Sequence, residues 1–134
     1  MKTLHKLILT INILISTAIA QSGRPTVAIL DFDGQGVEAS DVQTLTERMR
    51  TEIGNTNAVR LIERKAVEKI MEEQGFQQTG CTSDECAAEV GQLLGVQFMV
   101  SGTIGRMGKK YTIDCKMFSV ETGETVRAKN ATFE

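Results

Sequence analysis

Hydrophobic and polar positions follow two periods along the chain, and each period predicts a different kind of element. Residues 26–32 form an apolar run bounded by Pro25 and by Asp33-Gly34, which is typical of a buried strand. Apolar residues at helical spacing predict three helices, over 40–53, 65–74 and 82–94. Short apolar or alternating runs predict four further strands, over 58–63, 96–104, 111–120 and 125–133.

The order β-α-β-α-α-β-β-β of these elements predicts the fold class. Right-handed crossovers make the first three strands parallel, and two hairpins add antiparallel strands at one edge of the sheet. We therefore expect a two-layer α/β sandwich with a mixed sheet. In the first helix, helical spacing assigns four residues to the face that packs on the sheet: Val42, Leu45, Met49 and Ile53.

Local sequence signals predict where the helices begin. Ser40 with Gln43, and Thr82 with Glu85, have the spacing of a capping box. The helix over 65–74 has no Ser, Thr or Asp at its start, which predicts a weak N-terminus. Glycines at its end and at the end of the third helix favour termination there.

The first twenty residues have the composition of a secretory signal peptide. Lys2, His5 and Lys6 precede an apolar stretch over 7–15, and Ala18-Ile19-Ala20 is a small-residue cleavage site. The alternative is a membrane anchor, but the apolar stretch is shorter than a bilayer requires. We expect residues 1–20 to be removed and residues 21–134 to form a single exported domain with no membrane-spanning helix.

Charge and histidine content restrict the function of this domain. Loss of Lys2 and Lys6 leaves 13 basic and 17 acidic residues, a net charge of −4, which argues against nucleic acid as a partner. The single histidine, His5, lies in the signal peptide. Ser-His-Asp and Cys-His catalysis and histidine-ligated metal sites are therefore excluded from the mature domain.

Cys81 and Cys86 are the first candidates for chemistry. In an oxidising compartment a disulfide between them is favoured, and it would join the start of the third helix to the preceding loop. A reactive thiol pair is the alternative, because Cys86 lies near a helix N-terminus, although Asp84 and Glu85 would oppose a thiolate. A metal site would need two further ligands. Cys115 is expected to be a buried thiol.

The segment from Asp31 to Gly36 is the second candidate. Asp31, Asp33, Gly34 and Gly36 follow the first strand, at the edge where α/β sheets often place binding sites. An EF-hand loop would need Glu where Val42 stands, and the two aspartates would repel a dinucleotide pyrophosphate. The remaining hypotheses are a ligand-binding turn and a simple turn whose glycines adopt positive φ.

Five segments, taken in order, resemble a known family. They are Val27–Phe32, Leu61–Arg64, Glu73–Phe76, Gly91–Val96 followed by the Val100-x-Gly102-x-Ile104 pattern, and Val120–Glu124. In this order they resemble the CsgG/HfaB-like family of exported bacterial proteins, which overlaps the TolB N-terminal-like domain and the LpoB-type activators of penicillin-binding proteins. The resemblance covers about residues 26–127.

The resemblance implies a non-enzymatic periplasmic domain that binds envelope proteins, related to curli-type secretion and envelope assembly. It implies no catalytic residue, cofactor or metal. Association with the outer-membrane periphery and homo-oligomerisation through an open edge strand over 125–133 are also expected. The chain lacks a lipobox and long membrane hairpins, and it stops at Glu134, where the family domain usually continues into a helix. From this comparison with the family we expect either a fragment or a domain with one poorly covered sheet face.

Two functions from other classes remain as alternatives. One is a periplasmic thiol-disulfide protein that uses Cys81 and Cys86. The other is a small-ligand binder at the turn from Asp33 to Gly36.

Overall fold

The computed structural model describes residues 23–76 and 83–134. Within these ranges the chain forms six strands and three helices. In chain order they are β1 (Thr26–Ile29), β2 (Asp33–Gln35), α1 (Ala39–Asn55), β3 (Arg60–Leu61), α2 (Arg64–Glu73), α3 (Asp84–Leu94), β4 (Phe98–Met107), β5 (Lys110–Ser119) and β6 (Thr125–Phe133).

The described strands form one mixed sheet in the order β3-β1-β4-β5-β6. β1 is parallel to β3 and to β4, and β5 and β6 add antiparallel pairs at the other side of β4. The predicted α/β sandwich, with three parallel strands and an antiparallel hairpin edge, is confirmed. Parallel strands meet through helical crossovers, whereas β4 and β5 are joined by a two-residue turn at Gly108 and Lys109.

β2 was not predicted, because the sequence indicated a loop from Gly34 onward. After β1 ends, Asp33–Gln35 pairs in parallel with Thr103–Gly105 of β4. β1 pairs with an earlier part of β4, Phe98–Val100, on the same side of that strand. β2 thus uses backbone groups of β4 that would otherwise lack partners. Its three residues are half-buried or exposed and contain no β-branched side chain, so neither composition nor periodicity indicates it.

The buried apolar residues form two clusters on opposite faces of the sheet. β1 contributes to both, because its alternate side chains point to opposite faces, and this explains its continuous apolar run. One cluster packs against α2 and α3 and contains Ala28, Leu30, Val67, Met71, Ala87, Val90, Val96, Met99, Phe118 and Val120. The other packs against α1 and contains Val27, Ile29, Phe32, Val42, Val100 and Ile104.

The buried side of α1 differs in part from the prediction. Val42 is buried, and Met49 and Ile53 pack against the same cluster, as expected. Leu45 is 39% exposed, so its assignment to the sheet-facing side was wrong. Thr46, which is 1% exposed, takes the inward position. Its hydroxyl donates to the carbonyl of Val42 and accepts from the backbone N–H of Phe32, so the buried polar atom is satisfied.

Two predicted capping residues are corrected by the structure. Glu38 is the N-cap of α1 and makes no side-chain cap bond, so Ser40 lies inside the helix rather than before it. Ser83 is the N-cap of α3, and its hydroxyl accepts from the N–H of Cys86 at 3.2 Å. Thr82, the predicted cap, precedes the N-cap position and lies outside the described residues.

The other helix boundaries agree with the sequence. α2 begins without a side-chain cap bond, as predicted from its first residues. Gly75 and Gly95 adopt φ values of 71° and 64°, which place them in the left-handed region where glycine is favoured at helix ends. None of the described helices is long and apolar enough to cross a membrane.

Candidate functional site

Asp31, which follows β1, is the centre of a network of ion pairs that joins three elements. Arg50 of α1 places Nη2 3.0 Å from Asp31 Oδ1 and donates from the same atom to the carbonyl of Ile29. Arg64, the first residue of α2, places Nη2 2.8 Å from Asp31 Oδ2. Both carboxylate oxygens of Asp31 are therefore bound by guanidinium groups, and the network ties the end of β1 to α1 and α2.

Two further carboxylates and an amide complete the network. Glu47 lies 3.1 Å from Arg50 Nη1 and 3.4 Å from Arg64 Nε, and Glu68 lies 3.0 Å from Arg64 Nε. With its amide oxygen turned toward Arg64, Gln43 accepts from Arg64 Nη1 at 2.6 Å. Each arginine is thus held by several acceptors from different elements.

Burial and neighbouring charge act against each other at the two arginines. Burial lowers the pKa of Arg50, and the nearby carboxylates of Asp31 and Glu47 offset it only in part. Burial also acts to lower the pKa of Arg64, but the hydrogen bond and the charge of Asp31, with Glu68 and Glu47, outweigh it and raise that pKa. An arginine remains protonated in either case, so the network holds two permanent positive charges.

This geometry gives Asp31 a structural role. A carboxylate whose two oxygens both face arginines is a poor metal ligand, because its lone pairs are already used. Within the described residues there is no group of three or more His, Cys, Asp or Glu side chains suited to hold a metal ion.

The remaining residues of the predicted turn have separate roles. Asp33 and Gly34 lie in β2 rather than in a turn, whereas Gly36 does adopt a positive φ of 69°. A groove of about 370 Å³ runs beside them and is bordered by Asp31, Phe32, Asp33, Gly34, Val37, Ala39, Val42, Gln43 and Arg64. Its polar side chains include Asp31, Gln43 and Arg64, which already bind one another. Of the charged residues that border the groove, only Asp33 makes no ion pair within the described residues, so a single carboxylate is all that the structure offers to the hypothesis of a small-ligand site at this turn.

The described residues do not test whether Cys81 and Cys86 form a disulfide or a reactive thiol pair. Cys86 lies in the first turn of α3, but Cys81 lies outside the described residues, so their pairing stays a prediction. Cys115 is a free thiol on β5, half-buried at the edge of the α1 cluster, and burial raises its pKa. Cys115 was expected to be a buried thiol; it is a free thiol, but it is half-buried rather than buried.

Sequence reasoning missed the two arginines of the network. A signal was available for Arg50, which lies four residues after Thr46 and eight after Val42 and so falls on the buried side of α1. No comparable signal exists for the partners, because Asp31 lies 19 residues from Arg50 and 33 from Arg64.

β6 forms an open edge of the sheet. In the part of the chain that the structure describes, it pairs only with β5, and all nine of its residues are exposed. The row of backbone groups on its outer side is available to a further strand. The sequence had predicted this edge.

In a comparison with protein-family models, residues 5–133 match the model described as peptidoglycan-synthase activator LpoB. This chain belongs to the LpoB family. The expected CsgG/HfaB label and the link to curli secretion are not supported, whereas the LpoB-type group that the resemblance also named is confirmed. The family is described as an activator of synthases, which agrees with the non-enzymatic role that was expected. A comparison with curated proteins found no match.

Solved structures of LpoB-family and related proteins share the fold. The LpoB C-terminal domain from Escherichia coli matches with a TM-score of 0.68 at 12% identity, over 90% of this chain and 93% of that one. The corresponding domain from Salmonella enterica gives the same score and identity over 87% of each chain. Lipoprotein GNA1162 from Neisseria meningitidis matches with a TM-score of 0.70 at 8% identity, over 81% of this chain and 79% of that one.

Proposed function

We propose that the mature domain is exported to the periplasm, binds a peptidoglycan synthase there and activates it. The observation that carries this proposal is the match of the LpoB activator model to residues 5–133, which leaves almost no part of the chain outside the family. The action is regulatory: a protein contact changes the activity of a separate enzyme. An envelope location at the outer-membrane periphery is part of the same proposal.

The chemistry of the domain supports a binding role rather than a catalytic one. After residue 20 the chain contains no histidine, and Asp31 is occupied by two arginines. The domain instead has an exposed strand at its edge: β6 is exposed along its whole length, and the neighbouring β5 exposes Lys110 and Asp114. Exposed strands and sheet faces are common protein-docking sites.

The test is a reconstituted synthase reaction. Purified residues 21–134 are added to the peptidoglycan synthase of the same organism, and the rates of glycan polymerisation and peptide crosslinking are measured. We expect saturable binding and a higher rate at saturating domain. A domain that binds without any change in either rate would limit the function to binding, and absence of binding would refute the proposal.

Self-association through β6 is a second arrangement that the open edge supports. Two copies could join edge to edge and form one continuous sheet. However, a register centred on Lys129 would place that residue directly opposite its own copy, and like charges in direct cross-strand pairs are destabilising. Sedimentation analysis of the purified domain separates a monomer from such a dimer.

A further inference from the structure

One face of the β4–β5–β6 hairpin region carries basic and apolar side chains together. Directly paired residues of adjacent strands, and alternate residues of one strand, project to the same face of a sheet. Arg106 pairs with Tyr111, and Tyr111 pairs with Phe133. Continuing along β5 and β6 by steps of two gives the surface that we call the hairpin face: Arg106, Tyr111, Ile113, Arg127, Lys129 and Phe133.

The hairpin face lies on the same side of the sheet as α1 but extends beyond its cover. Ile113 is half-buried and packs against the α1 cluster, which fixes the side. Phe133 is 45% exposed, and every other residue of β6 is exposed as well. The Arg106 guanidinium lies 5.4 Å from the centre of the Tyr111 ring, so this end of the face combines a cation with two aromatic rings.

The charged residues of the hairpin face are all basic. It carries three cations, at Arg106, Arg127 and Lys129, and the paired positions of β4, β5 and β6 on this face include no acidic residue. Among the residues that the structure describes, none of these three cations forms an ion pair. The chain as a whole carries a net charge of −2. The face is therefore a basic patch on an acidic protein.

The opposite face of the same strands differs. Its two lysines are both neutralised, because Lys110 lies 3.4 Å from Glu134 and Lys116 forms an ion pair with Asp84. Between them β6 contributes small or neutral side chains, Ala128 and Thr132 among them. The unneutralised positive charge thus belongs to one face, whereas the opposite face also carries the acidic Asp114.

We infer that the hairpin face is the surface that binds the synthase, and that it fits an acidic protein surface carrying an apolar side chain. Carboxylates of the partner would face Arg127 and Lys129, and the apolar side chain would lie against Tyr111 and Phe133. A second copy is disfavoured as the occupant, because a two-fold contact would oppose three cations to three cations. This inference rests on the proposed function and assigns it a surface and a partner chemistry.

The test compares two double variants of β6 that change net charge equally. R127Q/K129Q removes two positive charges from the hairpin face, whereas A128E/T132E adds two negative charges to the opposite face of the same strand. All four positions are exposed, so both variants are expected to fold, and thermal unfolding checks this. Binding of the peptidoglycan synthase to each is measured at several salt concentrations.

We expect R127Q/K129Q to weaken binding about tenfold or more at low salt and to reduce the dependence on salt, because rim and interface charges act through screened attraction. A128E/T132E should stay within about threefold of the wild type, which is less than 1 kcal/mol in binding free energy. F133S should weaken binding without reducing the dependence on salt, because it removes an apolar contact only.

The outcomes separate this inference from the function on which it rests. If the wild-type domain binds no synthase, the proposed function fails and the inference fails with it. If the wild type binds and R127Q/K129Q binds equally well, the function stands and the hairpin face is not the interface. Loss of binding only in A128E/T132E would place the interface on the opposite face and would also overturn the inference.

Discussion

Asp31 Oδ1 lies 3.0 Å from Nη2 of Arg50, although the two residues are 19 positions apart in the sequence. Arg50 is 9% exposed, so its charge lies largely out of water beneath the end of β1. Removing one partner of a buried ion pair leaves the other charge uncompensated, which costs more than the pair contributes by forming. The network should therefore be sensitive to changes at Asp31.

The first prediction concerns the variant D31N. It keeps the shape of the side chain but removes the charge that faces both Arg50 and Arg64. We expect the free energy of unfolding to fall by about 3 kcal/mol, as for other buried pairs that lose one partner. Urea unfolding followed by circular dichroism measures the change.

D33N is the matched control for this variant. Asp33 is two residues away, is only half-buried, and makes no ion pair within the part of the chain described. Its unfolding free energy should change by about 0.5 kcal/mol or less. If D31N and D33N lowered the free energy of unfolding equally, the ion pairs of Asp31 with Arg50 and Arg64 would make no specific contribution to stability.

The second prediction concerns the caps of α1 and α3. The Ser83 hydroxyl accepts from the N–H of Cys86, whereas Ser40 lies inside α1 and its side chain caps nothing. S83A should lower the free energy of unfolding by about 1 kcal/mol, and S40A should change it by less than about 0.5 kcal/mol. The two thermal unfolding curves, measured side by side, check the assignment. A larger loss of unfolding free energy for S40A than for S83A would indicate that Ser40 caps α1, as the sequence had predicted.

The paired strands and the core show what the sequence could predict. The run over 26–32 indicated a strand buried on both faces, and Ala28 and Ile29 indeed belong to opposite clusters. An apolar run of this kind depends only on residues that are adjacent in the sequence, and the structure confirms the buried strand that it predicted. At α1, helical periodicity correctly predicted that Val42 is buried but wrongly predicted that Leu45 faces the sheet. Periodicity alone does not determine on which side a residue at the border of the buried face lies.

The candidate sites were less predictable, since they depend on contacts between distant segments. The acidic segment at Asp31 suggested a ligand turn, and its actual partner Arg64 lies 33 residues away. Likewise, Arg127 and Lys129 are unremarkable in the sequence. Only the pairing register, which brings them beside Cys115 and Met117 and on the same face as Tyr111, makes them a patch.

The third prediction concerns the bridge that we propose between Cys81 and Cys86. If it forms, the double variant C81S/C86S should lose about 2–3 kcal/mol of unfolding free energy, because a short loop is no longer closed. A reductant should lower the melting temperature of the wild type and leave that of C81S/C86S unchanged. Synthase binding should persist in the double variant, whereas loss of binding at unchanged stability would favour the thiol-disulfide function.

The fourth prediction concerns Gly102, where β4 passes beneath the ring of Phe32. A methyl group added at Gly102 would collide with that ring and with the backbone carbonyl of Asp114, so one of these groups would have to move. The carbonyl belongs to the neighbouring strand β5 and cannot move without disturbing the sheet. We expect G102A to lower the free energy of unfolding by about 1–3 kcal/mol through overpacking.

G54A supplies a control with the opposite sign. Gly54 lies in the last turn of α1, and an added methyl group would meet only Leu61, at an ordinary contact distance of 3.6 Å. Alanine is favoured over glycine in helices, so G54A should raise the free energy of unfolding by about 0.5 kcal/mol. Chemical unfolding of both variants in one buffer gives the comparison. If G102A proved as stable as the wild type, the close passage of Phe32 over β4 would be wrong.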